Sequence, residues 1–431
     1  MDNREAMKIL FLCDSSDIDI VEKSFVDFHK YSVTIESTEK IFDYGVSAYL
    51  EHTVNLINQY PEMYDGIVGT HDSSAVFAAI ISELTGKIFA SVESIINCQH
   101  KYLSRMIQSR YLPEHIPEFN LDLDYFKNPE QFSGYFFIKP VRANISFGSH
   151  VIATPEELQY FVTWESQEIV KQNEYFFEAL DYYCPNYLQY NIEACNQFLC
   201  EGLISGEQVT VDGFIYNGEV QCFGITKAVF YQESNSFSHH EFPYKFSPGL
   251  EKKILDAISL LVPALGIENS FFNIELRVDQ KRESFYIIEV NSRIAFQFAK
   301  TIQAVTGTDP LHLLCDVAVG ERPFFTMDDS EFSCCYNFEQ HYFQDMYIQR
   351  TPLQSDYEEI KLLYPEVYIR NLVYENTWLS DYKHNPDSYR YCIIDVPGNS
   401  REEIMDKYNH IISLLGYEFE ESDWRHSGGN R

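Results

Sequence analysis

The stretch FYIIEVNSRIA, residues 285–295, constrains this chain more than any other. Its apolar frame suits a buried β-strand, yet Glu289, Asn291 and Arg293 interrupt it at every second position. Side chains alternate across a strand, so all three share one face. Glu275 lies fourteen residues before Glu289, in FFNIELRV, and the polar run DQKRES separates the two segments. A hairpin centred near Arg282 sets Glu275 across from Glu289, with Cβ atoms about 4.5–5.5 Å apart. Carboxylates that close on a half-buried face repel each other and are costly if left unmatched. Three remedies are open: a shared proton, a bound cation, or a buried salt-bridge cluster in which Arg293 neutralises both acids. Asn291 adds a neutral oxygen, and two carboxylates with an amide form a hard-oxygen set that suits Mg²⁺, with Mn²⁺ as a substitute.

Around this hairpin the chain reads as α/β and α+β. At 431 residues it is long enough for two or three domains. MKILFLC (7–13), YSVTIES (31–37), YDGIVGT (64–70) and KIFAS (87–91) read as strands alternating with helices, which predicts a small doubly wound parallel sheet. Asp72 or Ser73 is the expected cap of the helix SAVFAAIISELTG. No GxGxxG follows the first strand, so a dinucleotide site is not supported. Residues 134–152 predict a strand, a turn and a second strand, and helical segments follow to about residue 194. QFLCEGLISGEQVTVDGFIYNGEVQCFGIT (197–226) reads as a meander with turns at 204–207 and at Asn217-Gly218. Strands and a final helix return in the last hundred residues. The expected domains are 1–95, 96–325 and 326–431.

Bulk properties exclude several classes of function. With 32 basic against 65 acidic residues the net charge is −33, which argues against a nucleic-acid surface or binding to an anionic membrane. The apolar run AVFAAII (Ala75–Ile81) is far short of the roughly 20 residues a membrane span needs. The start MDNREAM is charged and is followed by a strand-like segment, so a signal peptide is not expected. Ten cysteines without CxxC pairs read as reduced thiols. The expected compartment is the cytoplasm.

An anionic ligand would therefore need a local positive pocket. Lys139 ends the apolar strand FFIKP and either snorkels to water or faces such a ligand. The turn after it carries Ser146 and Gly148 and could present N–H groups to a phosphate. Lys101, in CQHKYLSRM, reads alone as an ordinary helix lysine. Lys227 and His240, in GITKAVF and HHEFP, are either a solvated loop or part of a substrate pocket. The adjacent His239 and His240 diverge on a strand, so they do not make a zinc pair.

Taken in order, Lys101, Lys139-Pro140, CEGLISG, Glu275 and the run Glu289-Val-Asn291-Ser-Arg293 resemble the ATP-grasp superfamily, in its biotin carboxylase-like and carboxylate–amine ligase branches. The resemblance covers about residues 1–325 and implies an ATP-grasp fold. It also implies ATP held between two α+β lobes, with a mobile lid of about 126–206. Lys139 would contact the α-phosphate and the adenine side, and Lys101 the α/β-phosphates. The backbone of Glu201 and Leu203 would bind adenine, and Glu207 would approach the ribose. Glu275, Glu289 and Asn291 would hold one or two Mg²⁺ ions, and Arg293 would stabilise charge on the transferred phosphoryl group. The implied partners are ATP, a small carboxylate and an amine, and a homodimer is compatible with the family.

Two departures refine that expectation. Biotin carboxylases carry a glutamate base after the arginine where this chain has Gln297, and an amide cannot take a proton at neutral pH. The phosphate turn ANISFG is also poor in glycine. The implied activity is ADP-forming ligation of a carboxylate to an amine. A nucleotide-binding regulator and a carboxylase are the alternatives.

Overall fold

β1 (Met7–Cys13) is the centre of a parallel sheet flanked by β2 (Tyr31–Ser37) and β3 (Gly66–Gly69), in the order β2-β1-β3. The crossovers carry α1 (Ile18–Phe25), α2 (Thr38–Tyr44) and α3 (Val46–Gln59), and α4 (Asp72–Thr85) follows β3. α4 is buried without interruption from Ser73 to Ser82, the pattern of a helix packed on several sides. His71 caps it and Asp72 is its first residue, so the cap lies one position before Asp72 and two before Ser73, the expected candidates. KIFAS is not a strand. After the left-handed Gly86 the chain passes directly to Ser91, which caps α5 (Val92–Gln99). Ile88 is 39% exposed and only Ala90 of the five is buried, too little apolar surface to hold a strand at the sheet edge.

The structure is a computed structural model that describes residues 5–123, 135–143, 148–184, 192–326, 330–382, 384 and 388–421. The chain divides into two compact units. The first comprises Met1–Phe223, Lys245–Phe296 and Leu311–Phe324, and the second Gly224–Tyr244, Gln297–Pro310 and Phe325–Arg431. No helix of the described residues is long and apolar enough to cross a membrane.

Within the first unit, α6 (Lys101–Tyr111) follows α5 directly, with the His100 side chain as its cap. A second sheet holds β4 (Phe119–Asn120), β5 (Phe136–Pro140), β6 (His150–Ile152) and β7 (Phe198–Gly202) in the order β4-β7-β5-β6. Leu158, Phe161 and Ile169 of the helix Pro155–Tyr183 pack on Phe136, Ile138 and Phe198 of that sheet. β8 (Glu207–Tyr216) belongs to a different sheet, so the expected meander is broken between β7 and β8. Gly206 makes the break possible. Its φ is +128°, and an added Cβ would lie 2.6 Å from the Val278 carbonyl oxygen. β8 does turn into β9 (Glu219–Phe230) at Asn217-Gly218, where both φ values are positive as a two-residue hairpin turn requires.

β10 (Phe237–Phe242) precedes the hairpin of β11 (Ser270–Asp279) and β12 (Ser284–Asn291). β11 lies between β12 and β8, antiparallel to both. In the second unit β10 pairs with the strand Cys334–Tyr342, which pairs in turn with Tyr389–Gly398. The helix Arg401–Leu414 covers that unit's core through Ile404 and Ile411, packed with Phe338, Ile394 and Val396.

Candidate functional site

The hairpin register sets Glu275 opposite Glu289 and Asn273 opposite Asn291, with a bulge just after Glu275. The facing acids that the spacing predicts are therefore in place. Both are half-buried. Burial, reinforced by the Glu289 charge, pushes the Glu275 carboxyl up to about 8 against the pull of Arg293 and Lys101. Gln208 donates to Glu275 Oε2 at 3.1 Å, and Lys101 Nζ stands 3.9 Å from Glu289 Oε2 while donating to the Ala143 carbonyl at 3.1 Å. Arg293 does not form a salt bridge with either acid. Its Nε donates to Asp72 Oδ1 at 2.6 Å. Burial alone would raise the Asp72 carboxyl, but Arg293, with Arg142 and Lys101 behind it, holds it below its ordinary value.

Beside the acids runs a ladder of polar side chains. Asp212, Asn273 and Asn291 are directly opposite one another on β8, β11 and β12. Asn273 Nδ2 donates to Asp212 Oδ1 at 2.9 Å and to Thr210 Oγ1 at 2.7 Å, and Asn291 Nδ2 donates to Asn273 Oδ1 at 3.2 Å. Asp212 is 3% exposed, and burial pushes its carboxyl up to about 6 although Asn273 and Thr210 hydrogen-bond to it.

A third group lies where β7, β5, α6 and β12 meet. Glu201 accepts from Arg105 Nε at 2.7 Å and pairs with Lys139 Nζ at 2.9 Å. The Ile288 carbonyl, one residue before Glu289, accepts from Arg105 Nη2 at 2.7 Å and from Lys139 at 3.4 Å. Burial would raise Glu201, but the two cations, Arg105 first, bring it down to about 2. Burial lowers Lys139 to about 8 despite Glu201. The Glu201 side chain is thus an internal counter-ion, a role its place in CEGLI does not suggest. Nearby, Arg142 is buried without a carboxylate salt bridge among the described residues. It is held instead by Gln99, Asn173 and Tyr175 and lies 4.0 Å over the Phe176 ring.

The first unit thus brings together Lys101, Lys139, Glu201, Glu275, Glu289, Asn291 and Arg293. Leu203 is 47% exposed just past β7, and Glu207 opens β8 hydrogen-bonded to Gln280. Gly148 has φ +62° and is packed on Pro140, while Ser146 lies outside the described residues. Lys227 and His240 belong to the second unit, on β9 and β10, so HHEFP is no solvated loop. Lys227 sits over the Tyr244 ring, and the buried His240 lies 3.6 Å from Glu339 and is pushed down to about 4, chiefly by burial.

Arg105, Asp212 and Asn273 are not among the residues the sequence pattern singles out, and Asp72 is singled out there only as a helix cap. Asn273 and Asp212 had a usable signal, since Asn273 alternates with Glu275 and Asp212 with Thr210. Arg105, four residues after Lys101 on the helix, had a weaker one. Asp72 had none beyond its place after a strand.

Residues 133–301 match the family model of the ATP-grasp domain. The chain carries an ATP-grasp domain. Its overall fold is shared with solved structures across nearly its whole length. The L-amino acid ligase from Bacillus licheniformis superposes with a TM-score of 0.72 at 15% identity, covering 97% of this chain and 100% of that one. The biotin carboxylase domain of the Hydrogenobacter thermophilus 2-oxoglutarate carboxylase, solved with MgADP and bicarbonate, gives 0.69 at 14% identity over 97% and 92%. N5-carboxyaminoimidazole ribonucleotide synthetase from Thermotoga maritima gives 0.64 at 12% identity over 95% and 99%. No curated protein matches the chain in sequence. At these identities the likeness is one of fold.

The donor set of the ATP-grasp domain can be tested against a divalent cation. Among the described residues, no three His, Cys, Asp or Glu side chains converge as a metal-ligand group. Two facing carboxylates and one amide remain, one carboxyl destabilised by the other's charge. That is an incomplete hard-oxygen shell. It fits an ion such as Mg²⁺, which keeps several positions for water and phosphate oxygens.

Proposed function

We propose that this protein is an ATP-dependent, ADP-forming ligase that activates a small carboxylate as an acyl phosphate and joins it to an amine. The observation that carries this reading is the Glu275–Glu289 pair, two facing acids that Arg293 leaves without a salt bridge. The two acids would hold a Mg²⁺ ion, which would relieve their mutual repulsion and supply positive charge for phosphoryl transfer. Asn291 supplies the third protein oxygen. Lys101 Nζ stands 3.9 Å from Glu289, and Arg293, steadied by Asp72, would be a fixed cation for the developing negative charge. Lys139, at the end of β5, takes the α-phosphate and adenine side, with backbone around Glu201 and Leu203 holding the base. The amine then attacks the acyl phosphate and releases phosphate. The fold likeness to an L-amino acid ligase supports an amino acid as one of the two substrates.

Incubation with MgATP, pooled amino acids and small carboxylic acids in the presence of hydroxylamine tests this directly. ADP and a hydroxamate are expected, both lost in Glu289→Gln. AMP and pyrophosphate as products would overturn the proposal, and ATP binding without turnover in any pool would make the protein a nucleotide-binding regulator.

A further inference from the structure

Asn291 can serve as an oxygen ligand only if its amide is turned the right way, and an amide on a strand can present either its oxygen or its NH₂. An ionised carboxylate only accepts hydrogen bonds, so Asp212 draws the NH₂ of Asn273 toward β8. Thr210 Oγ1 accepts from the same nitrogen at 2.7 Å. The Asn273 oxygen is thereby turned to β12, where it takes the NH₂ of Asn291 at 3.2 Å. With its NH₂ drawn to β11, Asn291 turns its oxygen away from Asn273, toward the face it shares with Glu289. Asp212 and Asn273 are 3% and 4% exposed, so water does not compete for these bonds.

We propose that Asp212 and Asn273 are positioning residues, a two-step relay across β8 and β11 that fixes the amide of Asn291 with its oxygen toward the acid pair. They touch neither the cation nor the substrate. Their effect is on the polarity of one ligand, and partners behind metal ligands typically change affinity by about 10–100-fold. The relay rests on the cation site of the proposed function but makes its own prediction, because it depends on hydrogen-bond direction and not on charge.

The test is the affinity of the full chain for Mn²⁺, read by electron paramagnetic resonance with the metal alone and with ADP present. Asp212→Leu removes the acceptor and is expected to weaken Mn²⁺ binding about tenfold or more. Asp212→Asn removes the same charge but keeps an accepting oxygen, so it should stay within about threefold of the parent. Equal losses in the two variants would mean that Asp212 acts through its charge alone, which overturns the relay. Unchanged binding in Asp212→Leu overturns it as well. Should Asp212→Leu fail to fold, Asn273→Leu breaks the next step, and retained Mn²⁺ affinity there has the same meaning. If the parent binds no Mn²⁺ in either condition, the cation site itself falls and the relay with it. A relay that fails in a parent that does bind leaves the ligase reading standing.

Discussion

Glu201 and Glu275 are both acids set into the first unit, yet one is held near 2 and the other near 8. The difference lies in what the neighbouring strands and helices deliver. α6 brings Arg105 and β5 brings Lys139 against Glu201, so the desolvation that would raise it is outweighed by two cations at hydrogen-bond distance. The β-hairpin sets a second acid directly across from Glu275, and the Arg293 guanidinium, which pulls against that repulsion, is tied to Asp72. A buried carboxylate with its counter-ions in place belongs to the scaffold. One that faces its own kind is a demand for a positive ligand.

Exchanging one acid of the facing pair, and then Glu201, for an amide puts the contrast to its hardest test. Glu289→Gln should cut turnover about 10²–10³-fold while leaving the thermal midpoint of the ligand-free protein unchanged or higher, because it removes a repulsion. A variant that stayed active would place the cation elsewhere. Glu201→Gln should do the reverse and destabilise the protein by about 3 kcal/mol, because Arg105 and Lys139 are left buried without their acid. Denaturant unfolding measures this, and a loss below about 1 kcal/mol would mean the ion cluster is dispensable.

Arg105→Met sharpens the comparison at lower cost. Glu201 keeps Lys139 but the Ile288 carbonyl loses its stronger donor, so about 2 kcal/mol of stability is expected to go. A raised KM for ATP with a smaller change in kcat would show that the cluster also sets Lys139. An equal fall in both would tie Arg105 to the transition state instead.

The smallest effect is one of pH. Glu201 is depressed from 4.5 to about 2, so the stability it contributes is complete above 4.5 and is lost as pH falls toward 2. Glu275 is raised from 4.5 to about 8, so its contribution is present below 4.5 and is lost as pH rises through 8. Millimolar Mg²⁺ takes over the proton's place, and the rise in Tm it gives should be about a few degrees larger at pH 9 than at pH 6. A rise independent of pH would uncouple Glu275 from the cation.

Much of this was legible in the chain because strand alternation and a short hairpin are local. The acids of FFNIELRV and FYIIEV face each other once the turn is centred, whatever surrounds them. The partners that give each acid its character come from far along the chain: Asp72 lies 221 residues from Arg293, and Arg105 lies 96 from Glu201. No periodicity within either segment reports such a pairing. The expected strand at 87–91 and the unbroken meander failed for a related reason, since which sheet a segment joins depends on the neighbours available to it.

By itself, then, the sequence determined the hairpin, its register, the facing acids and the alternation that sets Asn291 and Arg293 beside them, because these follow from a two-residue period and a turn. Only the tertiary structure decided that Arg293 is held by Asp72, that the Glu201 side chain is an internal counter-ion, and that Asn291 stands at the end of a relay from Asp212. Those outcomes rest on which charges and amides are brought within about 3 Å across separate strands and helices, and hydrogen bonding at that range is a property of packing.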